Sequence, residues 1–165
     1  MKAFYRFVRT LSLAFGVFAA GLVAAAVLVV TQMVVWRYGL GRSTIWQTEF
    51  VTYALIAATF LGSPYVLALR GHVAVELLPQ LLGGRMRLGL GVLADLLGLA
   101  FCAVLFWQSA LYWLEVWREG WTTETVWALP LWIPTLPLLL GSGLLTLQYL
   151  AELLVRLAGA QGEEG

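Results

Sequence analysis

Long charge-free intervals organise this chain of 165 residues. No charged residue interrupts the stretch between Arg9 and Arg37, and the stretch from Phe50 to Leu69, after Glu49, is equally free. A third interval begins near Leu88, contains Asp95 and runs uncharged from Leu96 to Leu114; a fourth starts near Thr125 and ends at Ala151. A bilayer core of roughly 30 Å requires about 20 apolar residues at 1.5 Å of rise each, so every interval is long enough to cross. Ala, Leu, Val and Phe dominate without strand alternation, and lipid offers the backbone no hydrogen-bond partner, so each interval is predicted to be a helix. The expected fold class is an all-α membrane protein with four transmembrane helices, at about 11–35, 47–69, 88–114 and 126–151. Residues 1–158 form one domain in this reading, and 159–165 a flexible tail. The basic N-terminus followed by an apolar run has the look of a secretory signal, but a signal core is about 7–15 residues, and an uncleaved first span is expected instead.

Composition narrows the function classes. Hydrophobic residues make up 61% and charged residues 12% of the chain, and the mean hydropathy is +0.87, far from the balance of a soluble domain. The formal net charge of +1 comes with no acidic or basic block, which argues against nucleic acid as a partner. One cysteine, Cys102, and one histidine, His72, cannot between them build an intramolecular disulfide, a zinc site or a bis-histidine haem. No phosphate-binding glycine loop and no paired intramembrane carboxylates are found, so no catalytic set, metal or cofactor is expected and the chain is not read as an enzyme.

Four spans put both termini on one side. Lys2, Arg6, Arg9, Arg70, Arg85, Arg87 and Arg156 fall on that side, against Arg37, Arg42 and Arg118 on the other, so both termini are expected in the cytoplasm. Trp36, Tyr38 and Trp46 flank the first outer turn and Trp113, Trp117, Trp121, Trp127 and Trp132 the second, as an interfacial aromatic belt requires. Between spans two and three, Leu77, Leu78, Leu81 and Leu82 recur at helical spacing, which predicts a short interfacial amphipathic helix; Pro79 opposes it unless it falls in a first turn.

Polar residues within or beside the spans are the candidate contacts. Glu49 opens span two and either pairs with Arg37 or Arg42 or is hydrated at the helix N-terminus. Asp95 lies about two turns into span three, near Arg70, His72, Arg85 and Arg87, and three roles stay open for it: an internal ion pair, a contact to another membrane protein, or a relay for a transported ion. His72 and Glu76, four apart beside Arg70, form a juxtamembrane cluster suited to headgroups or a partner. Gln32, Gln108 and Gln148 are read as interhelical hydrogen-bonding amides. Gly16, Ala20 and Ala24 make a smooth helix-packing face on span one, and Pro130, Pro134 and Pro137 loosen the start of span four.

The order of these features resembles the small membrane subunit, of DctQ type, of tripartite ATP-independent periplasmic (TRAP) transporters. Trp46-Gln47-Thr48-Glu49 is similar to that family's Trp-x-x-Glu, and Gly62 follows in its place. Leu69-Arg70-Gly71-His72-Val73-Ala74-Val75-Glu76 resembles the family's stretch after span two, with Glu76 where Asp is commoner, and Leu129-Pro130-Leu131-Trp132-Ile133-Pro134 through Leu136-Pro137-Leu138 to Gly141 is similar to the start of its fourth span. The resemblance implies a scaffold in the bacterial inner membrane that supports a large multi-span transport subunit. A periplasmic solute-binding protein would deliver a carboxylate-bearing solute for sodium-coupled, ion-gradient-driven uptake. It also implies a phospholipid at the subunit interface, with Arg70, Arg85 and Arg87 as headgroup contacts. The outer connection from Glu115 to Glu124, with Arg118 and Glu119, would face the periplasm, where a minor contact with the binding protein is expected. Two rival readings from other classes are a four-helix anchor of a quinone- or haem-linked oxidoreductase and a small self-assembling channel or exporter.

Overall fold

The computed structural model describes residues 2–42, 44–69, 84–125 and 127–162. Four helices in it are long and apolar enough to cross a membrane. Helix α1 is Lys2–Val34, α2 is Ile45–Ala68, α3 is Gly84–Glu119 and α4 is Trp132–Gly162. The predicted interfacial helix, including Leu77–Leu82, and the contact candidates Arg70, His72 and Glu76 lie outside the described residues, while Arg85 and Arg87 belong to the first turn of α3.

Each helix stops for a local reason. The last turn of α1 widens into a π-helical turn, Val35–Gly39, in which the Trp36 carbonyl accepts from both the Leu40 and the Arg42 N–H, at 3.2 and 3.1 Å. Gly41, at φ +61°, then turns the chain back towards α2. Helix α3 ends on Gly120 at φ +64°, and the Trp121 N–H reaches the Val116 carbonyl at 3.3 Å, the six-to-one bond of a Schellman cap. Helix α4 starts only at Trp132, not near 126, because the preceding residues are occupied elsewhere: Thr122 pairs with Pro130, and the Leu131 N–H donates to the Trp121 carbonyl at 2.8 Å. Pro134 consequently falls in the first turn of α4, where its missing N–H would have had no intrahelical acceptor. The helix continues through Gly162, into the stretch expected to be tail; residues 163–165 are outside the described set.

The packing is uneven. Helix α4 touches α1, α2 and α3, α1 also packs along α2, and α3 meets no helix but α4 among the described residues. The result is a wedge of α1, α2 and α4 with α3 laid along the free side of α4. In their most apolar windows, 33% of α2 and α4 is buried inside the chain but only 11% of α1 and α3, so the latter two are the flanks.

Glycines set the helix distances. Gly16 of α1 lies under the root of the Tyr65 side chain, Gly98 of α3 under the Tyr149 ring, and Gly143 of α4 under the tip of Phe106. Ala19, Ala58 and Leu61 fill the α1–α2 seam, with Phe15 and Leu22 at its edge. Of the predicted small face on α1, Gly16 is buried while Ala20 and Ala24 are exposed; the chain's own packing face runs instead through Gly16, Ala19 and Ala26. The tightest approach is between α2 and α4. Pro64, inside α2, has no N–H to give the Phe60 carbonyl, and Gly141 of α4 comes so close to that carbonyl that a methyl group at 141 would overlap its oxygen.

Candidate functional site

Three polar constellations stand out in this apolar frame. The first caps the tryptophan-rich end. The Thr125 hydroxyl donates to Glu49 Oε2 at 2.8 Å, Thr123 and Thr125 share a hydrogen bond of 2.9 Å, and the Leu129 N–H donates to the Thr123 hydroxyl at 2.9 Å. Three residues before Glu49, Trp46 meets the Trp127 ring edge-on at 6.5 Å. The Trp-x-x-Glu spacing thus places two side chains one helical turn apart, and both grip the loop between α3 and α4. The grip holds a loop that would not keep this shape unaided, for Ala128 adopts φ +44°. Glu49 therefore takes a threonine hydroxyl rather than Arg37 or Arg42. Gln47, between the two, is fully buried, and neither of its amide atoms has a partner among the described residues.

The second constellation is an ion pair at the opposite end. Arg156 of α4 donates through Nε to Asp95 Oδ2 at 2.6 Å and through Nη2 to Oδ1 at 3.4 Å. The Asp95 side chain is 11% exposed and that of Arg156 37%, so the carboxylate is buried and the guanidinium reaches the surface. Gly91, one turn before Asp95, makes room for the guanidinium, which a methyl group there would displace. The neighbours in sequence, Arg85 and Arg87, pointed to the right end of the molecule. The partner itself was missed because it sits on another helix.

The third ties α1 to α4. The Ser12 hydroxyl donates to Gln148 Oε1 at 3.2 Å and Gln148 Nε2 to Glu152 Oε1 at 3.4 Å, with Ser12 and Gln148 fully buried. Gln148 is the interhelical amide expected from the sequence, whereas Ser12 and Glu152 are partners that only the fold brings to it. One signal was present: Gln148, Glu152 and Arg156 recur at intervals of four, which puts all three on one face of α4.

None of these arrangements offers chemistry at a reacting centre. They are bonds that hold the frame together: Glu49 clamps the loop between α3 and α4, Asp95 and Arg156 join α3 to α4, and Ser12 and Gln148 join α1 to α4. Comparison with curated protein sequences returns no match. The profile of the tripartite ATP-independent periplasmic transporters, DctQ component, by contrast matches residues 26–159, from the last third of α1 almost to the end of α4, a range that holds the first two constellations and Gln148 and Glu152 of the third but not Ser12. A match over that much of the chain, on four membrane-length helices, establishes that this protein belongs to the DctQ component family of the tripartite ATP-independent periplasmic transporters, as a small multi-pass membrane subunit.

Proposed function

We propose that the chain is the static scaffold of its transporter, stabilising the large transport subunit during ion-gradient-driven uptake of a carboxylate-bearing solute. The observation that carries this reading is the Asp95–Arg156 pair: a carboxylate that a transport pathway would use is instead bound to a cation of the same chain and locks α3 onto α4. What the helices leave free is apolar surface on both flanks, suited to packing against further helices. Substrate and sodium sites belong to the large subunit, and a periplasmic binding protein delivers the solute in a transient encounter.

The excess of Lys and Arg at the termini orients the chain in the bacterial inner membrane with both ends in the cytoplasm, which turns the Trp46–Trp127 clamp and the adjoining Arg118 and Glu119 towards the periplasm. Arg70, Arg85 and Arg87, with the juxtamembrane His72 and Glu76, hold a phospholipid headgroup at the subunit interface. Ala20 and Ala24 are further helix-packing positions on α1.

The test is reconstitution. The chain, purified in mild detergent from cells that express the whole transporter, is expected to bring down the large subunit. In liposomes it should move no solute alone, whereas the complete transporter should require it. Solute flux through the isolated chain, or a Soret band in its absorbance spectrum, would overturn the scaffold reading.

A further inference from the structure

Helix α3 carries two polar side chains in a place where lipid cannot serve them. The contacts of Phe106 with Gly143 and of Gly141 with the Phe60 carbonyl set the relative heights of α3, α4 and α2. They bring Trp107 and Gln108 level with Phe60, the middle of the charge-free Phe50–Leu69 interval. About ten residues, or roughly 15 Å of rise, then separate them from either end of α2's apolar stretch, which is half the thickness of a bilayer core.

Both point outward. Trp107 is 66% exposed, Gln108 is exposed as well, and neither the indole N–H nor the amide has a hydrogen-bond partner among the described residues. Elsewhere, apart from Gln47 near the start of α2, the polar side chains are mostly bonded within the chain. Exposed threonines such as Thr31, Thr52 and Thr59 each return their hydroxyl to a backbone carbonyl four residues earlier, and Gln148 is bridged to Ser12. The other tryptophans lie towards the tryptophan-rich end, where an indole has water within reach. Mid-bilayer, an unsatisfied amide and a lone indole N–H are both unfavourable against hydrocarbon and favourable against another helix.

Their positions frame a seat. Val104 and Leu111, 65% and 47% exposed, stand seven residues apart on the side of α3 opposite the buried Cys102, Ser109 and Val116. Trp107 and Gln108 flank that stripe on either side at the same height. A second copy of this chain is disfavoured as occupant because the family builds a transporter from unlike components.

We propose that this face of α3 seats a transmembrane helix of the large transport subunit, which offers a polar side chain or a free backbone carbonyl to the Gln108 amide at mid-bilayer. The inference rests on the scaffold reading and adds to it the face that is gripped. Because α3 meets only α4 within the chain, the partner helix would complete its packing, and α3 would stand between the two subunits.

The experiment uses the full chain in membranes of cells that express the complete transporter. A benzophenone amino acid placed at Val104 or Leu111 is expected to crosslink on illumination to the large subunit, identified by mass. Gln108→Leu is expected to lower recovery of the large subunit about threefold to tenfold, the range of one interhelical polar contact, with the melting temperature of the isolated chain unchanged. Adducts to a second copy, or to lipid alone, while the wild-type chain still copurifies with the large subunit, would overturn the docking face and leave the scaffold reading in place. If the wild-type chain brings down no large subunit at all, the scaffold reading falls and this inference with it.

Discussion

The two helical hairpins solve the same problem with one shared device and one difference. In each, a tyrosine of the second helix lies over a glycine of the first: Tyr65 on Gly16 in α1/α2, Tyr149 on Gly98 in α3/α4. Beyond that contact the α1–α2 seam is built on Ala19, Ala58 and Leu61, and its one directional bond among the described residues is the weak one that the Thr48 hydroxyl donates to the Met33 sulfur at 3.6 Å. The α3–α4 seam adds directional bonds at both ends: Asp95 to Arg156 at one, and at the other Trp113 Nε1 donating to the Trp132 carbonyl at 3.1 Å, with Trp117 packed between the Trp113 and Trp132 rings. The difference follows from neighbours. Helix α1 is wedged between α2 and α4, whereas α3 has α4 alone. In lipid, apolar contact earns a helix little preference for protein over solvent, so a helix with one neighbour requires polar bonds to fix its place, while one held from two sides does not.

A graded glycine series tests the shared device, and it contains the largest expected effect. Gly141→Ala meets the Phe60 backbone carbonyl, which cannot move aside, and should destabilise by about 3 kcal/mol. Gly16→Ala meets the Cβ and Cγ of Tyr65, the stiff root of the side chain, and should cost about 2 kcal/mol. Gly98→Ala meets only the Tyr149 ring edge, which can tilt, at about 1 kcal/mol. Thermal unfolding of the detergent-purified chain should rank the three in that order. A larger loss from Gly98→Ala than from Gly16→Ala would mean that the α3–α4 seam is the tighter one, and the comparison would have to be reversed.

The ion pair tests the difference. Asp95→Asn removes the carboxylate charge from a guanidinium that is 37% exposed and can find water or headgroups, so the loss should be about 1–2 kcal/mol rather than the larger cost of a fully buried partner. Replacing both residues with leucine should recover most of it, because no charge is left stranded. Cys102 provides a local readout: it is the chain's one cysteine, 5% exposed on the side of α3 that faces α4. Asp95→Asn should quicken its alkylation, and Gly16→Ala should leave it unchanged. Equal acceleration by both would show that the hairpins are not separately anchored.

These contacts also show where reading the sequence succeeds and where it stops. The spans were legible because burial in lipid forbids unpaired charge over about 20 residues, a constraint that needs no knowledge of the fold. Asp95 was recognisable as a residue in need of a partner for the same reason. Its partner was not, since Arg156 lies 61 residues away and faces Asp95 only once Gly91 and Gly98 have set the register of α3 on α4. The start of α4 was placed too early because Leu129 and Leu131 read as span, while their backbone N–H groups are committed to Thr123 and Trp121 in the loop. The clamp on Thr125 was invisible for a similar reason. Charge complementarity points Glu49 to Arg37 or Arg42, and its actual partner is a neutral hydroxyl from a distant loop.

The smallest expected effect probes the polar bond that ties α1 to α4. Gln148→Leu keeps the side chain's bulk and removes the acceptor of the Ser12 hydroxyl, which can then turn to a carbonyl one turn back on its own helix, as Thr10 already does with Arg6. The loss should therefore be below about 1 kcal/mol, and a double-mutant cycle with Ser12→Ala should give a coupling near 0.6 kcal/mol, the usual worth of such a bond between membrane helices. If α1 is held by its apolar wedge, that small coupling is all the bridge contributes. A coupling above about 2 kcal/mol would mean instead that Ser12, Gln148 and Glu152 act as one network, and that α1, like α3, depends on polar bonds for its position.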